Sequence, residues 1–356
     1  MTTLKDVAKR AGVSAKTVSR VVNRDPLVAE DTRAAVQRLV DELGYVPNDA
    51  ARQMRTQSSR TVGFLTDVIA TTPHSVDIVR GVQEQLRAEG RTMLIANSGG
   101  VPEQEAEYWR MFRAQQAAGA LYATMYHRPV DLGDVEFTGP LVLVNCYDRK
   151  HRYAAVLPDD LGGGHTQARH LLELGHRRIG LISLNPIIRA ADLRRDGITK
   201  AHREFGVALD EALVRPGMVG ATGGGERLVA YDAAREMLIR ADRPTAIICG
   251  HDQIALQVMV AAAECGLGVP DDLSIIGFDD QHTITEALRP ALTTVALPYY
   301  QMGRTAAELL SGLMSGRPAA RNPVLAPCPL VIRQSCSPPA SNVKRRPGKR
   351  QTEKLH

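Results

Sequence analysis

Leu4, Val7, Ala8 and Ala11 recur at helical spacing and share one face. Gly12 follows, a residue that tolerates the left-handed conformation ending such a helix. Ser14 suits the N-cap of a second helix over 15–23, in which Val18, Val21 and Val22 pack back on the first. That leaves Ala15, Lys16, Ser19 and Arg20 facing outward near the helix start. A third helix over about 30–43 brings Ala34, Val36, Leu39, Val40 and Leu43 to close a small core, with Gly44 as its cap. This pattern predicts a helix-turn-helix whose second helix enters the major groove of DNA.

From residue 61 the rhythm changes to short apolar runs. Strands are predicted at 61–66, 92–97, 119–124, 141–145, 154–158, 179–183, 246–250 and 273–278. Helical stretches fall between them, at 75–89, 103–117, 160–174, 195–205, 226–240 and 252–265. Continuous Val/Ile/Leu runs separated by amphipathic helices predict parallel sheets covered on both faces. The strands are too many for one modest sheet, so two Rossmann-like lobes are expected. Ligands of such folds bind where strand C-termini of both lobes face one cleft. The polar groups at those strand ends are Asp67, Asn145, His251, Asp252 and Asp279, with Arg194 at the start of the helix after 179–183. Each is also a chemically reasonable turn residue capping the next helix.

Charge sharpens the division. The chain of 356 residues carries +5. Residues 1–60 hold eleven Lys/Arg against seven Asp/Glu, and the tail 344–356 holds six against one. The body between them is therefore slightly acidic. A basic head on such a body suits a polyanion-binding head joined to a sensing domain. The tail follows a Ser/Pro stretch and is expected to be disordered from 336 onward. No apolar run reaches the roughly 18 residues of a membrane helix. The start MTTLKDVAKR carries no apolar signal segment, so a cytoplasmic protein is expected. The five cysteines fit no zinc or redox spacing.

LKDVAKRAGVSAKTVSRVVN followed by GYVPNDAARQM resembles the headpiece of the lactose-repressor (LacI) family of bacterial regulators, over nearly all of residues 4–60. DDLGGGHTQARHLLELGHRRIGLIS and GVPDDLSIIGFDD extend the resemblance to about residue 335. It implies a headpiece at 1–46, a hinge helix and linker at 47–60, and an effector-binding and dimerisation domain of periplasmic-binding-protein type at 61–335. The N-lobe is then about 61–157 plus 289–320, and the C-lobe about 158–288 plus 322–335. By the resemblance, Ala15, Lys16 and Arg20 choose the operator. Arg20 suits a bidentate pair with guanine, Ala15 offers a methyl, and Lys16 reaches either a guanine or a phosphate. Ser14, Thr17, Ser19 and Asn23 are candidates for phosphate contacts, although Ser14 also suits a pure cap and Thr17 pure packing. The hinge helix includes Ala51 and Met54. Met54 stands where relatives carry an intercalating leucine, and a thioether chain can serve as such a wedge.

For the sensing domain the resemblance implies effector contacts from Arg194, Asp279 and the aromatic Tyr299, with Pro73 and His74 at an apolar wall. Asp67, Asn145 and His251 complete the candidate set. His251 replaces an asparagine of relatives, and the glycine-rich VGATGGGERL (219–228) lacks an aromatic that some of them place over the ligand. The effector is expected to be a sugar or sugar derivative, clamped by an arginine on one wall and carboxylates on the other. Neither a cofactor nor a metal is implied.

Rival readings fare worse. A Rossmann enzyme lacks its GxGxxG, since the first loop reads TDVIATTPHS, and Gly162-Gly163-Gly164 lacks the Lys-Ser/Thr of a phosphate loop. An exported sugar-binding protein does not explain the head, nor does an architectural DNA binder explain the polar strand ends. The expected protein is a non-enzymatic homodimer on a pseudo-palindromic operator, a repressor with effector-controlled affinity. Arg20→Ala is expected to lower operator preference about tenfold to a hundredfold while nonspecific binding holds. Fluorescence anisotropy on operator and scrambled duplexes reads both, and equal losses would put Arg20 on phosphate alone.

Overall fold

A computed structural model describes residues 2–22, 25–45, 59–72, 75–133, 135–222, 225–319 and 322–340. The chain forms two compact units, Met1–Ser59 and Arg60–His356.

The first unit holds α1 (Leu4–Ala11), α2 (Ala15–Val22) and α3 (Glu30–Glu42). Thr3 and Asp6 make a reciprocal capping box: Thr3 Oγ1 accepts the Asp6 amide, and the Asp6 carboxylate accepts the Thr3 amide at 2.8 Å. Gly12 ends α1 at φ 65°. Ser14 Oγ accepts the Thr17 amide at 3.1 Å, which caps α2. Val7, Val18, Val21, Val36 and Val40 form the buried core, with Leu4, Ala11, Leu39 and Leu43 at its edges. Ala34 departs from expectation and is exposed. It precedes Val36 by two residues, about 200° around the helix, and so misses the stripe that Val36, Leu39, Val40 and Leu43 share. Asn23, Ala51 and Met54 lie outside the described residues.

The second unit begins with β1 (Thr61–Thr66), α4 (Asp77–Ala88), β2 (Thr92–Asn97), α5 (Pro102–Ala114), β3 (Gly119–Val130), β4 (Leu141–Asp148) and β5 (Ala154–Pro158). The chain then builds a second lobe from α6 (Asp160–Glu173), β6 (Ile179–Ser183), α7 (Arg189–Glu204) and β7 (Val214–Pro216). A small hairpin follows, β8 (Met218–Val219) with β9 (Arg227–Leu228). Next come α8 (Ala230–Leu238), β10 (Ala246–Cys249), α9 (Asp252–Glu264), β11 (Ser274–Asp279), α10 (His282–Thr285) and β12 (Thr293–Ala296). α11 (Tyr299–Met314), β13 (Val324–Ala326) and β14 (Leu330–Val331) complete it.

Two six-stranded sheets result, in the orders β13-β5-β4-β3-β1-β2 and β14-β12-β11-β10-β6-β7. All pairings are parallel except β12 with β14. Helices cover both faces, so the strands are apolar without alternation: Val62, Phe64 and Leu65 in β1, and Ile247 and Ile248 in β10, are fully buried. In each sheet the strand order reverses beside its first strand, β1 or β6, and such a switch point opens a crevice at the strand C-termini. Among the described residues no helix is long and apolar enough to cross a membrane.

The chain passes between the lobes three times, at 158–160, 296–299 and 326–330. Two expectations are corrected here. Residues 293–296, expected in the N-lobe, pair with β11 in the second sheet, while 324–326, expected in the C-lobe, extend the first sheet beside β5. These strands are too short to carry a pattern of their own. Residues 336–340, expected to begin a disordered tail, are ordered against the second lobe. Buried Ser335 donates to the Ile275 carbonyl at 2.6 Å, and the Ser337 amide donates to Ser274 Oγ at 3.0 Å. His176 meets the Ser337 carbonyl at 2.9 Å. Serine hydroxyls here take the place of a regular ladder. The basic residues 344–354 lie outside the described residues.

Each lobe contains one helix pair in backbone contact. A Cβ on Gly81 of α4 would stand 2.1 Å from the Tyr300 carbonyl oxygen of α11, and one on Gly303 would stand 2.2 Å from that of Ile78. In the second lobe, a Cβ on Gly164 of α6 would meet the Arg194 carbonyl oxygen at 2.2 Å, and one on Gly197 of α7 would meet that of Leu161 at 2.0 Å. Gly197→Ala, which helix propensity alone would favour by about 1 kcal/mol, is therefore expected to destabilise by roughly 1–3 kcal/mol or more. Urea unfolding checks it, and unchanged or raised stability would show that the crossing is loose.

Candidate functional site

On the headpiece, Ser14, Ala15, Lys16 and Arg20 are exposed, while Thr17 and Ser19 are half-buried. Ser14 Oγ and Thr17 Oγ1 lie 2.9 Å apart. Arg20 Nε lies 3.5 Å from Asp25 Oδ2 across half-exposed side chains. Such a surface pair is weak and leaves the guanidinium free to be drawn to a base.

In the second unit, the strand C-termini of both lobes enclose a cavity of about 150 Å³. Met125, Tyr126, His127, Asn145 and Pro158 reach it from the first lobe, and Asp160, Arg194, Glu226, His251 and Asp279 from the second. Tyr299 and Leu297 come from the crossing that leads into α11. Leu184, Ile188 and Met218 supply apolar walls.

Arg194 is the centre of this arrangement. The Gly164–Gly197 crossing of α6 and α7 sets its Cα close to the first turn of α6, and Asp160 is the first residue of that turn. Arg194 Nε donates to Asp160 Oδ1 at 2.8 Å, and Nη1 donates to the Gly250 carbonyl at 2.6 Å. Its guanidinium carbon sits 3.5 Å above the Phe278 ring centroid, and Asp279 Oδ1 is 3.7 Å from Nη1. Asp160 also accepts His127 Nδ1–H from the opposite lobe at 2.7 Å. Burial pushes the Asp160 carboxyl up, but Arg194 and His127 outweigh it and hold the group below its ordinary range. Asp279 has less help. Burial raises it to about 6, Arg194 and Gln281 pull it back only in part, and Asp160 adds repulsion. Asp252, just behind, is pushed well above the carboxylate range by burial and by Asp279. Its oxygens accept the Gln281 amide and the Thr294 hydroxyl, both at 2.7 Å.

The other expected residues divide. Asn145 lines the cavity at φ 57°, but its amide nitrogen is spent on the carbonyls of Thr124 and Met125. His251 lines it too, with Nδ1 accepting the Ile254 amide as the N-cap of α9 and Nε2 facing Met218 Sδ at 3.0 Å. The ring therefore caps and lines at once. Tyr299 is buried at the cavity wall, and burial together with Asp279 holds its phenol protonated. Asp67 is not among the lining residues. Its carboxylate accepts the amides of Val68 at 2.6 Å and Met125 at 3.0 Å and lies 3.6 Å from Arg128. It positions the segment that carries Tyr126 and His127 instead. Pro73 and His74 lie outside the described residues.

Four participants escaped sequence reasoning: Tyr126, His127, Asp160 and Glu226. The expected strand stopped at 124, whereas β3 runs on to 130 with its register shifting between Ala123 and Arg128. That irregularity turns Tyr126 and His127 into the cleft. Asp160 was legible only as a helix-start residue, and Glu226 only as the end of a glycine-rich run.

Residues 3–48 match the model of bacterial regulatory proteins of the lacI family, and residues 168–336 match a periplasmic binding protein-like domain. The HTH-type transcriptional repressor PurR of Yersinia enterocolitica is 32% identical over 321 residues, which cover 89% of this chain and 92% of that one. The chain belongs to the lacI family. A LacI-family regulator from Rhizobium etli has a solved structure 45% identical to this chain, with a TM-score of 0.74 over 79% of this chain and all of that one. The lac repressor dimer bound to operator and an anti-inducer is 27% identical, with a TM-score of 0.75 over 94% of this chain and 99% of that one. This lacI-family protein is a DNA-binding transcriptional repressor and not an enzyme.

The carboxyl of Asp279 makes a pH test. Its folded value of about 6 lies above the ordinary 3.8, so the folded state holds this proton more tightly than the unfolded chain. Stability is then lost as pH rises from about 4 through 6, and the full penalty stands above 6. Asn tolerates the positive φ of 106° found here. Asp279→Asn is expected to be more stable than the parent by about 2–3 kcal/mol at pH 7.5 and equal to it near pH 4. Denaturant unfolding across that range checks it, and a gap independent of pH would refute the burial penalty.

Proposed function

We propose that this repressor binds a pseudo-palindromic operator as a cytoplasmic homodimer and that a carbohydrate bound between its lobes controls its affinity. The headpiece residues Ala15, Lys16 and Arg20 read bases, and Ser14, Thr17, Ser19 and Asn23 contact phosphates. Ala51 and Met54 of the hinge meet the minor groove between half-sites. The effector meets Arg194, Asp279, Asn145, His251 and Tyr299, and also His74. Ligand-driven change in the lobe angle alters the placement of the hinges and so operator affinity.

The observation that carries the effector reading is the position of Arg194, held between Asp160 and Asp279 against a partly apolar cavity shared by both lobes. Arg194 and these carboxylates stand together on the second lobe rather than on opposite walls, and with polar groups of the first lobe and apolar surface between they suit a ring with hydroxyls on its edges. Charge narrows the class. Three carboxylates (Asp160, Glu226 and Asp279) line the cavity with one guanidinium, and Asp160 already neutralises that. An acidic or phosphorylated sugar meets no uncommitted arginine, so the effector is a neutral or amino sugar. The rings of Tyr126, His127 and Tyr299 beside amides such as Gln281 also suit a planar nucleobase, which is the second reading.

A thermal-shift screen of the full-length protein against neutral sugars, amino sugars, sugar acids, sugar phosphates and nucleobases tests this. A neutral or amino sugar is expected to raise the melting temperature and to change operator affinity in a titration. Stabilisation by acids or phosphates would overturn the charge argument. Stabilisation by a nucleobase alone would replace the sugar and leave the repressor standing.

A further inference from the structure

The glycine-rich 219–228 segment is the one sequence motif that the effector reading leaves without a role. It forms the β8–β9 hairpin on the second lobe. At its base the Gly217 amide donates to the Ser183 carbonyl, and the Val229 amide to that of Gly217, both at 2.8 Å. Asn185, 1% exposed, pins the hairpin through its amide nitrogen, which donates to the Gly220 carbonyl at 2.8 Å and to Glu226 Oε1 at 3.0 Å. Gly220, at φ 105°, leaves no room for a side chain, since a Cβ there would stand 2.2 Å from the Gly225 carbonyl oxygen. The hairpin is thus anchored to the second lobe and carries one carboxylate, Glu226, directly before β9.

That carboxylate reaches across the cleft. Glu226 Oε2 accepts the hydroxyl of Tyr126, which the irregular end of β3 carries from the first lobe. The next residue, His127, makes a second cross-lobe bond, to Asp160. Both Tyr126 and Glu226 line the cavity.

We propose that Tyr126 and Glu226 form a latch that holds the lobes closed over the cavity, with Asn185 as the residue that positions it. The partners sit on different lobes, so their bond contributes only when the lobes are together and shifts the balance between open and closed forms. A hydrogen bond to a carboxylate is among the stronger kinds, which gives one pair real leverage on that balance. The hairpin thus supplies an acceptor where an aromatic cover would only pack. Its significance for regulation rests on the proposed reading that lobe angle sets operator affinity.

Hydrogen–deuterium exchange of the full-length protein without ligand tests the latch. Exchange is followed in segments 124–130 and 225–229, with 61–66 as the internal reference. Tyr126→Phe and Glu226→Ala are each expected to speed exchange in both segments about tenfold, with no further increase in the double variant. Glu226→Gln keeps an acceptor and is expected to restore most of the protection. Additive effects, or acceleration confined to the segment that was changed, would overturn the latch. Operator titration of the same variants separates the two ideas. Coupled acceleration of exchange with unchanged operator affinity keeps the latch and overturns the link from lobe angle to DNA.

Discussion

The sensing domain depends on one buried ion pair, Arg194 with Asp160, and on the two glycines that bring it together. Without Gly164 and Gly197, α6 and α7 could not touch backbone to backbone, and the guanidinium would not lie beside the first turn of α6. Burying a charge is costly unless it is paired and its remaining hydrogen bonds are met. Here the cost is offset by Asp160, by the Gly250 carbonyl and by the face of Phe278. The pair is thus assembled by helix packing, and residues remote from the cavity decide where its main cation stands.

The same pair connects the lobes. Asp160 takes a bond from His127 with its second oxygen, so one carboxylate holds an arginine of its own lobe and an imidazole of the other. Three chain crossings join the lobes, and among the described residues the side-chain bonds Tyr126–Glu226 and His127–Asp160 span the gap between them. On the proposed effector reading, a ligand acts by changing which cross-lobe bonds can form. Asp67 belongs to this machinery, since it accepts the Met125 amide and steadies the segment that presents Tyr126 and His127.

Legibility followed element length and pattern. Strands such as 61–66, 154–158 and 179–183 stood out because a parallel sheet buried on both faces needs unbroken apolar runs. The edge strands at 214–216, 324–326 and 330–331 and the inner strand at 293–296 are two to four residues long, too short for any period to show. Ordered residues from 336 onward passed for tail because Ser337 is held by its backbone and hydroxyl, with Cys336 as the one apolar contact in a Ser/Pro stretch. In the cavity, Asn145, His251, Asp279 and Tyr299 could be named because they sit at or near element ends and match a family pattern, whereas Arg194, expected at a helix start, lies inside α7 and was legible by the family pattern alone. Tyr126 and His127 could not. They owe their position to a register shift in β3, which depends on pairing with β4 and on no local signal.

The carboxylates explain why the cavity is arranged as a sensor rather than simply as a stable core. Asp279 and Asp252 are both raised by burial, so the folded domain carries groups that would rather be protonated than remain charged in apolar surroundings. Packing with apolar side chains would give a more stable protein. Retaining Asp279 beside Arg194 keeps an acceptor whose demand for a donor is only partly met at 3.7 Å. A ligand bringing hydroxyl or amino hydrogens to that oxygen lowers the cost directly and gains more there than it would from an acceptor already satisfied in water. On the proposed effector reading, the lobes favour the angle at which ligand donors reach Asp279 and ligand acceptors reach Arg194. On that reading, relief of this one buried cluster is what a bound ligand exchanges for a change of lobe angle.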